Sequence, residues 1–481
     1  MTDQHYDAII VGSGAGGAAT AFNLVRAGKR ALVLERGDRL PRDGSTLDVK
    51  QVFKVGRFKN HDPWVDNHNR VFIPDEHYNV GGKTKWYGAA LLRFSPDEFE
   101  ADPAHQCLAW PFGYDELKPY YEQAEELLRI NRFDNEPELQ ALIDKIAGGD
   151  SSWRVEPLPL GLKKEVLEDE NEAKHFDGFA SACAYKSDAE WNLLTHIEDK
   201  PNFTLMPNKQ VVGFLHAQGA PQEITGVACT DGSTYRGSIV ILAAGAMTSP
   251  RLLQDHLERT GLERTLPSVA MVGANFKFHI NSALLALSPF QRHDVLRKTA
   301  IFFNDAYPHS NVQCLGWMDG DILATQLPAA VPKFVANAAG ARAVGFFVTT
   351  EDGSSPENRI VSCGGHGGLP LMDYDFGRIR PSIDEHHAVI RAFERRLLHA
   401  GLAGVSRYAG LAGTAHALGS MVTGTDPTTS VVDARGKVHN MDNLSDPEYE
   451  YIEGQKVGGF RTVLAVPLMR LASTSRNSWP I

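Results

Sequence analysis

The chain has 481 residues, 43% hydrophobic and 22% charged, a globular composition long enough for two or more cooperating folding units. A formal net charge of −11, with no run of Lys or Arg, argues against gripping phosphate backbones by counterion release, so nucleic acid is not an expected partner. Five scattered cysteines without a C-x-x-C pair argue against a disulfide framework or a structural zinc site and fit a reducing compartment. The opening "MTDQHYDAIIVGSG" shows no signal segment, and no apolar run approaches the roughly 18 residues of a membrane span, so a soluble, cytoplasmic protein is expected.

The first readable unit is "YDAIIVGSGAGGAATAFNLVRAGKRALVLER". An apolar strand over 6–11 leads into a turn and then a helix from about residue 15, with Ala18, Ala21, Leu24 and Val25 on one face. Gly12, Gly14 and Gly17 form G-x-G-x-x-G: one glycine for the tight turn, one for close approach to a pyrophosphate, one for helix–strand packing. Glu35 closes the second strand, where a carboxylate can accept from a ribose. Strand, helix and distal acid agree, so a dinucleotide site is expected. Other glycine clusters, such as "CGGHGGLP" at 363–370, neither follow a buried strand nor open a helix, so one dinucleotide is expected and no second nucleotide fold.

Further along, "NVGGKTKWYGAALLRF" at 79–94 pairs Gly81 with Gly82, which permits close backbone approach, and adds Thr84, Trp86 and Tyr87 as a hydroxyl and ring faces suited to an aromatic cofactor. A helix follows over 110–128, and 136–161 reads as a surface excursion. Residues 202–217 read as two short strands around a turn. "GSIVILAAGAMTSPRLL" at 237–253 reads as a buried strand running into a helix near Ser249-Pro250. "INSALLALS", "VQCLGWMDGDILA" and "AVGFFVTTE" read as strands, and His386-His387 begin an amphipathic helix with Arg391, Arg395 and Arg396 on a solvated face. No helical His/acid pairing suggests a metal set, and G-x-S-x-G is absent, which removes a hydrolase elbow.

Together with "YKSDAEWNLL" and "HALGS…GTDPTTSVVDARGKVHNMDNL", these segments resemble, in order and spacing, the glucose–methanol–choline family of FAD-dependent oxidoreductases. The resemblance implies an α/β fold: a doubly wound, Rossmann-like FAD-binding domain assembled from 1–262 and 410–481, with a substrate domain on an antiparallel sheet over 263–409. It places the FAD contacts on Gly12, Gly14, Gly17, Glu35, Gly81, Gly82, Thr84, Val212, Ala244 and Gly245. Some members attach flavin through a His near the paired glycines; this chain has "YGAA" there, so non-covalent FAD is expected.

The resemblance also implies oxidation of a CH–OH group, with a His taking the hydroxyl proton as hydride passes to flavin N5. His416, three residues before Gly419, occupies that place. In an ungapped alignment the second catalytic residue falls on Gly459, or on Gly458 with a one-residue shift. The following Pro falls on Phe460 and a flavin-contacting Asp on Glu448. Pro447 interrupts an expected strand, Pro467 an expected helix, and Gln455 or Lys456 are candidate replacements. His279 matches a family His with a packing role. The expected substrate is a small alcohol, sugar or natural-product hydroxyl, with oxygen, a quinone or a redox protein as electron acceptor. Two other outcomes stand behind this one: a flavoenzyme with a different reaction, and an FAD-binding protein without turnover.

Overall fold

A computed structural model describes residues 5–445 apart from 328, 329, 412, 414 and 415. Pro447, Glu448, Gln455, Lys456, Gly458, Gly459, Phe460 and Pro467 lie outside the described residues.

Three sheets organise the described residues. The first has seven strands and begins with β1 (His5–Val11), which pairs in parallel with β2 (Ala31–Leu34) on one side and with Thr234–Leu242 on the other. Phe203–Met206 adds in parallel outside β2, Ala220–Cys229 and Val211–Ala217 extend the other edge antiparallel, and Leu444–Ser445 pairs with the end of Thr234–Leu242. A parallel strand is buried on both faces, and β1 shows it. Ala8 and Ile10 pack with Ala18 and Ala21 of helix α1 (Ala15–Arg26), while Ile9 and Val11 pack with Leu252, Leu253 and Leu257 of the helix Ser249–Thr260.

The second sheet has six strands, antiparallel throughout, in the order Ala403–Tyr408, Ile280–Leu287, Ala343–Thr350, Ser310–Cys314, Ala300–Asn304, Trp153–Pro157. One face is covered by the helices Pro137–Ala147 and Arg380–His399. A four-stranded sheet combines Trp64–Asp66 and Val71–Phe72 with Arg359–Val361 and Leu371–Asp373. Among the described residues no helix is long and apolar enough to cross a membrane.

Three local expectations are corrected. Residues 136–161 are not a surface excursion: Leu139, Leu142, Ile143 and Ile146 enter the core and Trp153–Pro157 forms a sheet edge. The apolar i, i+3, i+4, i+7 spacing of those four residues outweighs the turn-rich "GGDSS" that follows them. The run 312–324 is strand only to Cys314, because Asp319 caps a helix over Gly320–Gln326 by accepting from the Ile322 N–H at 2.8 Å. Arg396 is not on a solvated face. It is buried beside Phe393 and Leu397, and its Nε–H donates to Ile146 O at 2.7 Å with a second bond to Gly148 O, closing the carbonyl end of the neighbouring helix.

Removing Arg396 leaves those carbonyls without donors, a loss of about 2 kcal/mol. Arg396→Ala should lower the thermal unfolding midpoint by about 2–4 °C, whereas Arg391→Ala, exposed on the same helix, should leave it unchanged. Equal shifts would contradict the capping role.

Candidate active site

The dinucleotide turn is built by backbone contact. Gly12 follows β1 at φ 103°, and a Cβ there would stand 2.3 Å from Ala243 O. A Cβ on Gly17 would stand 2.0 Å from Gly12 O. No side chain fits between β1, α1 and the end of Thr234–Leu242, so α1 starts hard against both strands. Its first turn holds no acidic residue, and its unpaired N–H groups and dipole face a long cavity lined by Gly12, Ser13, Gly14 and Ala15. Gly17 stands one turn deeper and serves packing.

Glu35 is buried at the cavity wall. Its Oε2 accepts from the Ser13 N–H at 3.0 Å and the Ser13 hydroxyl at 2.6 Å, and Oε1 accepts from the Gly37 N–H at 2.9 Å. Burial pushes its pKa up and those bonds pull it back.

Ser13 also ties in the 79–94 segment, because its Oγ accepts from the Gly81 N–H at 3.0 Å. Gly81 and Gly82 sit at φ 86° and 56°, two successive left-handed residues that glycine alone takes without strain. Gly82, Lys83 and Thr84 line the cavity, while Gly81 stands behind them. Beneath, the buried Lys85 ammonium bonds Asp188 at 3.0 Å and Glu190 at 2.7 Å, which joins this segment to 185–194. Trp86 and Tyr87 differ from expectation: both are core residues, with Trp86 Nε1–H on Asn79 Oδ1 and Tyr87 O–H on Ser187 O. The rings that do line the cavity include Tyr78, Phe94, Trp110 and His77, the last stacked on Trp86 at 4.6 Å with its pKa pushed down to about 4 by burial.

Ala244 and Gly245 line the opposite wall. Val212 does not: its side chain is 43% exposed, and its neighbour Val211 faces the cavity. Side chains alternate along a strand, so a one-residue offset changes the face.

His416 stands beside the end of this cavity, and Ala417, Leu418 and Gly419 form the wall next to it. The motif is held by a close backbone ladder: Leu418 N–H to Lys277 O at 2.9 Å, Lys277 N–H to Leu418 O at 3.0 Å, Gly273 N–H to Ser420 O at 2.7 Å. A Cβ on Gly419, at φ 72°, would stand 2.1 Å from Asn275 O, which explains the glycine. His416 keeps partial exposure. Its Nδ1 lies 3.2 Å from Asn281 Nδ2, and its ring meets Phe347 edge-on at 6.0 Å and His279 at 5.4 Å. Burial draws its pKa well below 6.5, helped by the charges of His279, Lys83 and Lys298. His279 is buried at φ 66° with Asp352 3.8 Å from its Nδ1.

One cluster was invisible in the sequence. His105, His309 and Glu385 bring ligand-type atoms within 4.8 Å of one another, as do Cys107, His309 and Glu351. His309 Nδ1 meets Glu351 at 3.0 Å and Nε2 meets Asp102 at 3.3 Å, so both ring nitrogens already have carboxylate partners. These residues come from four distant segments, so no local spacing announces them.

The wall from Gly12 to Glu35, the turn at 82–84 and the Ala244-Gly245 segment fit a dinucleotide with a pyrophosphate and a ribose. Residues 7–300 match the FAD dependent oxidoreductase (DAO) family over more than half of the chain. The chain belongs to that family. It is a flavoprotein oxidoreductase, with motifs that resemble those of the glucose–methanol–choline type. Two relatives align with 92% of the chain and 86% of their own length: 6'''-hydroxyparomomycin C oxidase of Streptomyces lividus at 26% identity, and paromamine 6'-oxidase of Streptomyces fradiae at 24%. The fold is similar to pyridoxine 4-oxidase of Mesorbium loti (TM-score 0.63, 17% identity, 96% of this chain and 98% of that one). It is also similar to a variant formate oxidase of Aspergillus oryzae (TM-score 0.68, 15% identity, 98% of each chain).

The two glycines of the flavoprotein's turn should fail differently. Gly17→Ala, which collides with backbone, should lower the thermal midpoint of the FAD-free protein as well as FAD affinity. Gly14→Ala, with nothing within 4 Å of its Cβ, should keep that midpoint and weaken FAD binding by about tenfold or more. FAD titration of both variants checks this, and equal behaviour would contradict the assignment.

Proposed function

We propose that this flavoprotein oxidises a CH–OH group of a sugar or amino-sugar natural product to the carbonyl, with His416 accepting the hydroxyl proton. The observation that carries the reading is the continuity of the 416–419 segment: the ring precedes three residues of the flavin cavity wall without a gap. Two relatives spanning most of the chain carry the names of oxidases of aminoglycoside compounds, which supports that substrate class and favours oxygen as the acceptor.

Gly12, Gly14, Glu35, Gly82, Thr84, Ala244 and Gly245 would hold FAD without a covalent bond, Gly17 and Gly81 shaping the backbone behind them. When bound, FAD supplies the two-electron acceptor for the carbon-bound hydrogen. The chain's own task is to place the alcohol against His416 and to take its proton. A general base contributes about 10²–10⁴-fold when it stands within hydrogen-bond reach of the hydroxyl. The seven-stranded sheet with the returning 410–445 segment would form the FAD part, and the six-stranded sheet the substrate part, extended by Pro137–Pro157. Cytoplasmic residence fits the five free cysteines.

The test is anaerobic: the visible spectrum of the purified protein is followed while primary alcohols, sugars and aminoglycosides are added. Bleaching by a sugar or aminoglycoside, reduced about a hundredfold or more in His416→Ala, is the expected result. A flavin band that none of them changes would overturn the reading. The pH dependence is a second check. A His whose pKa lies well below 6.5 is neutral, and able to accept, at every pH above that value. The bleaching rate should therefore be flat from about pH 6.5 upward as far as His416 is concerned, and an acid limb centred near 7 would contradict the lowered pKa.

A further inference from the structure

Asn281 is buried, and its amide is fully used. Oδ1 accepts the Thr349 hydroxyl at 3.0 Å, Nδ2 donates to Phe278 O at 3.3 Å, and Nδ2 lies 3.2 Å from His416 Nδ1. An amide nitrogen only donates and a carbonyl oxygen only accepts, so the Phe278 contact fixes which way the amide faces. His416 Nδ1 must then accept. A neutral imidazole carries one hydrogen, and here it stays on Nε2.

We propose that Asn281 is a positioning residue that sets the tautomer of His416: it holds the resting ring as Nε2–H, and its amide must turn before the ring can take a proton from substrate. The proposal rests on the reading of His416 as the proton acceptor. In the resting form Nε2–H donates, which suits the carbonyl oxygen of the product. The turned state needs the other tautomer, so the ring gives its Nε2 proton to water at its exposed edge and takes one from water on Nδ1; after a half-turn of the amide, Oδ1 then faces His416 Nδ1–H and Nδ2 faces Thr349 Oγ1. A hydroxyl accepts as well as it donates, so Thr349 serves both states. The contact to Phe278 O is lost and the amide oxygen faces that carbonyl instead, which is what favours the resting arrangement. Two arrangements separated by this one contact form a two-state element that a ligand can bias. In the turned state the alcohol O–H proton passes to Nε2, and the resulting imidazolium keeps Nδ1–H on the amide oxygen.

That acceptor matters because the charges acting on His416 oppose a cation. They are His279, with Asp352 behind it, Lys83, paired to Glu76, and Lys298, paired to Asp177. Lys277 and Glu351 act on His279 from farther out, and Tyr374 sits on Asp352.

The test uses the FAD-loaded enzyme and the alcohol found to bleach it. Asn281→Asp is isosteric and only accepts, so it holds Nδ1–H and leaves Nε2 free. We expect bleaching about tenfold faster at pH 8, inhibition by the product carbonyl compound weaker by a similar factor, and a new acid limb as the carboxylate raises the pKa of the ring. A structural role alone would not move that limb. A rate and pH profile at or below those of the wild type in the FAD-loaded variant would overturn the proposal. Should the variant fail to bind FAD, ¹⁵N-histidine spectra of the wild-type holoenzyme decide, with the His416 signal assigned by its loss in His416→Gln. Hydrogen on Nε2 supports the proposal and hydrogen on Nδ1 overturns it. A His416→Gln enzyme that bleaches at the wild-type rate overturns the underlying reading instead, and with it the proposal.

Discussion

The whole arrangement depends on one close contact. Gly12, Gly17 and Ala243 bring β1, α1 and the central parallel strand together so tightly that a single added carbon would overlap a backbone oxygen. That contact aims the start of α1 along the cavity. It also sets Ser13 where one hydroxyl reaches both Glu35 and Gly81. From Gly81 the order passes to Lys85 and its two buried carboxylates, and so to the segment around 188. Three stretches remote in sequence are thereby held in one wall. Breaking the buried ion cluster by removing one partner would leave an uncompensated charge, so this link is under strong constraint whatever its net contribution to stability.

The second constraint is at the other end of the cavity. The ladder between 273–277 and 418–420 fixes where the chain crosses the cavity wall, and His416 is the residue just before that crossing. The six-stranded sheet supplies its surroundings: Asn281 and Thr349 from neighbouring strands, Phe347 beside them. The site therefore lies where two sheets meet. One contributes the start of α1 and the buried Glu35 carboxylate, and the other contributes the ring's hydrogen-bond partners.

Much of this was legible because the signals are local. G-x-G-x-x-G, the two flanking strands and the closing acid occupy some thirty contiguous residues, and the physics that reads them is that of one turn. H-x-x-G-S is equally local, since the glycine answers a collision with Asn275 that any side chain would cause. What was misread depends on tertiary context. The parity of Val211 and Val212 is decided by the bulged pairing of that strand with Ala220–Cys229. Arg396 sits on the border of an amphipathic face, and only the presence of the carbonyl end of Pro137–Ala147 draws it inward. Trp86 and Tyr87 have the right chemistry for a ring-binding wall, yet Asn79 and Ser187 claim their polar atoms. The partner of His416 was missed for the same reason: Asn281 is 135 residues away.

In the proposed reaction a carbon-bound hydrogen leaves an alcohol while His416 takes the hydroxyl proton. The most direct test is stopped-flow bleaching of the flavin with a substrate deuterated at the carbinol carbon, compared with the unlabelled compound in the wild-type enzyme. Bleaching should be severalfold slower with deuterium, and the unlabelled substrate should give a product two hydrogens lighter. Bleaching that is indifferent to the label, with no carbonyl product formed, would contradict it.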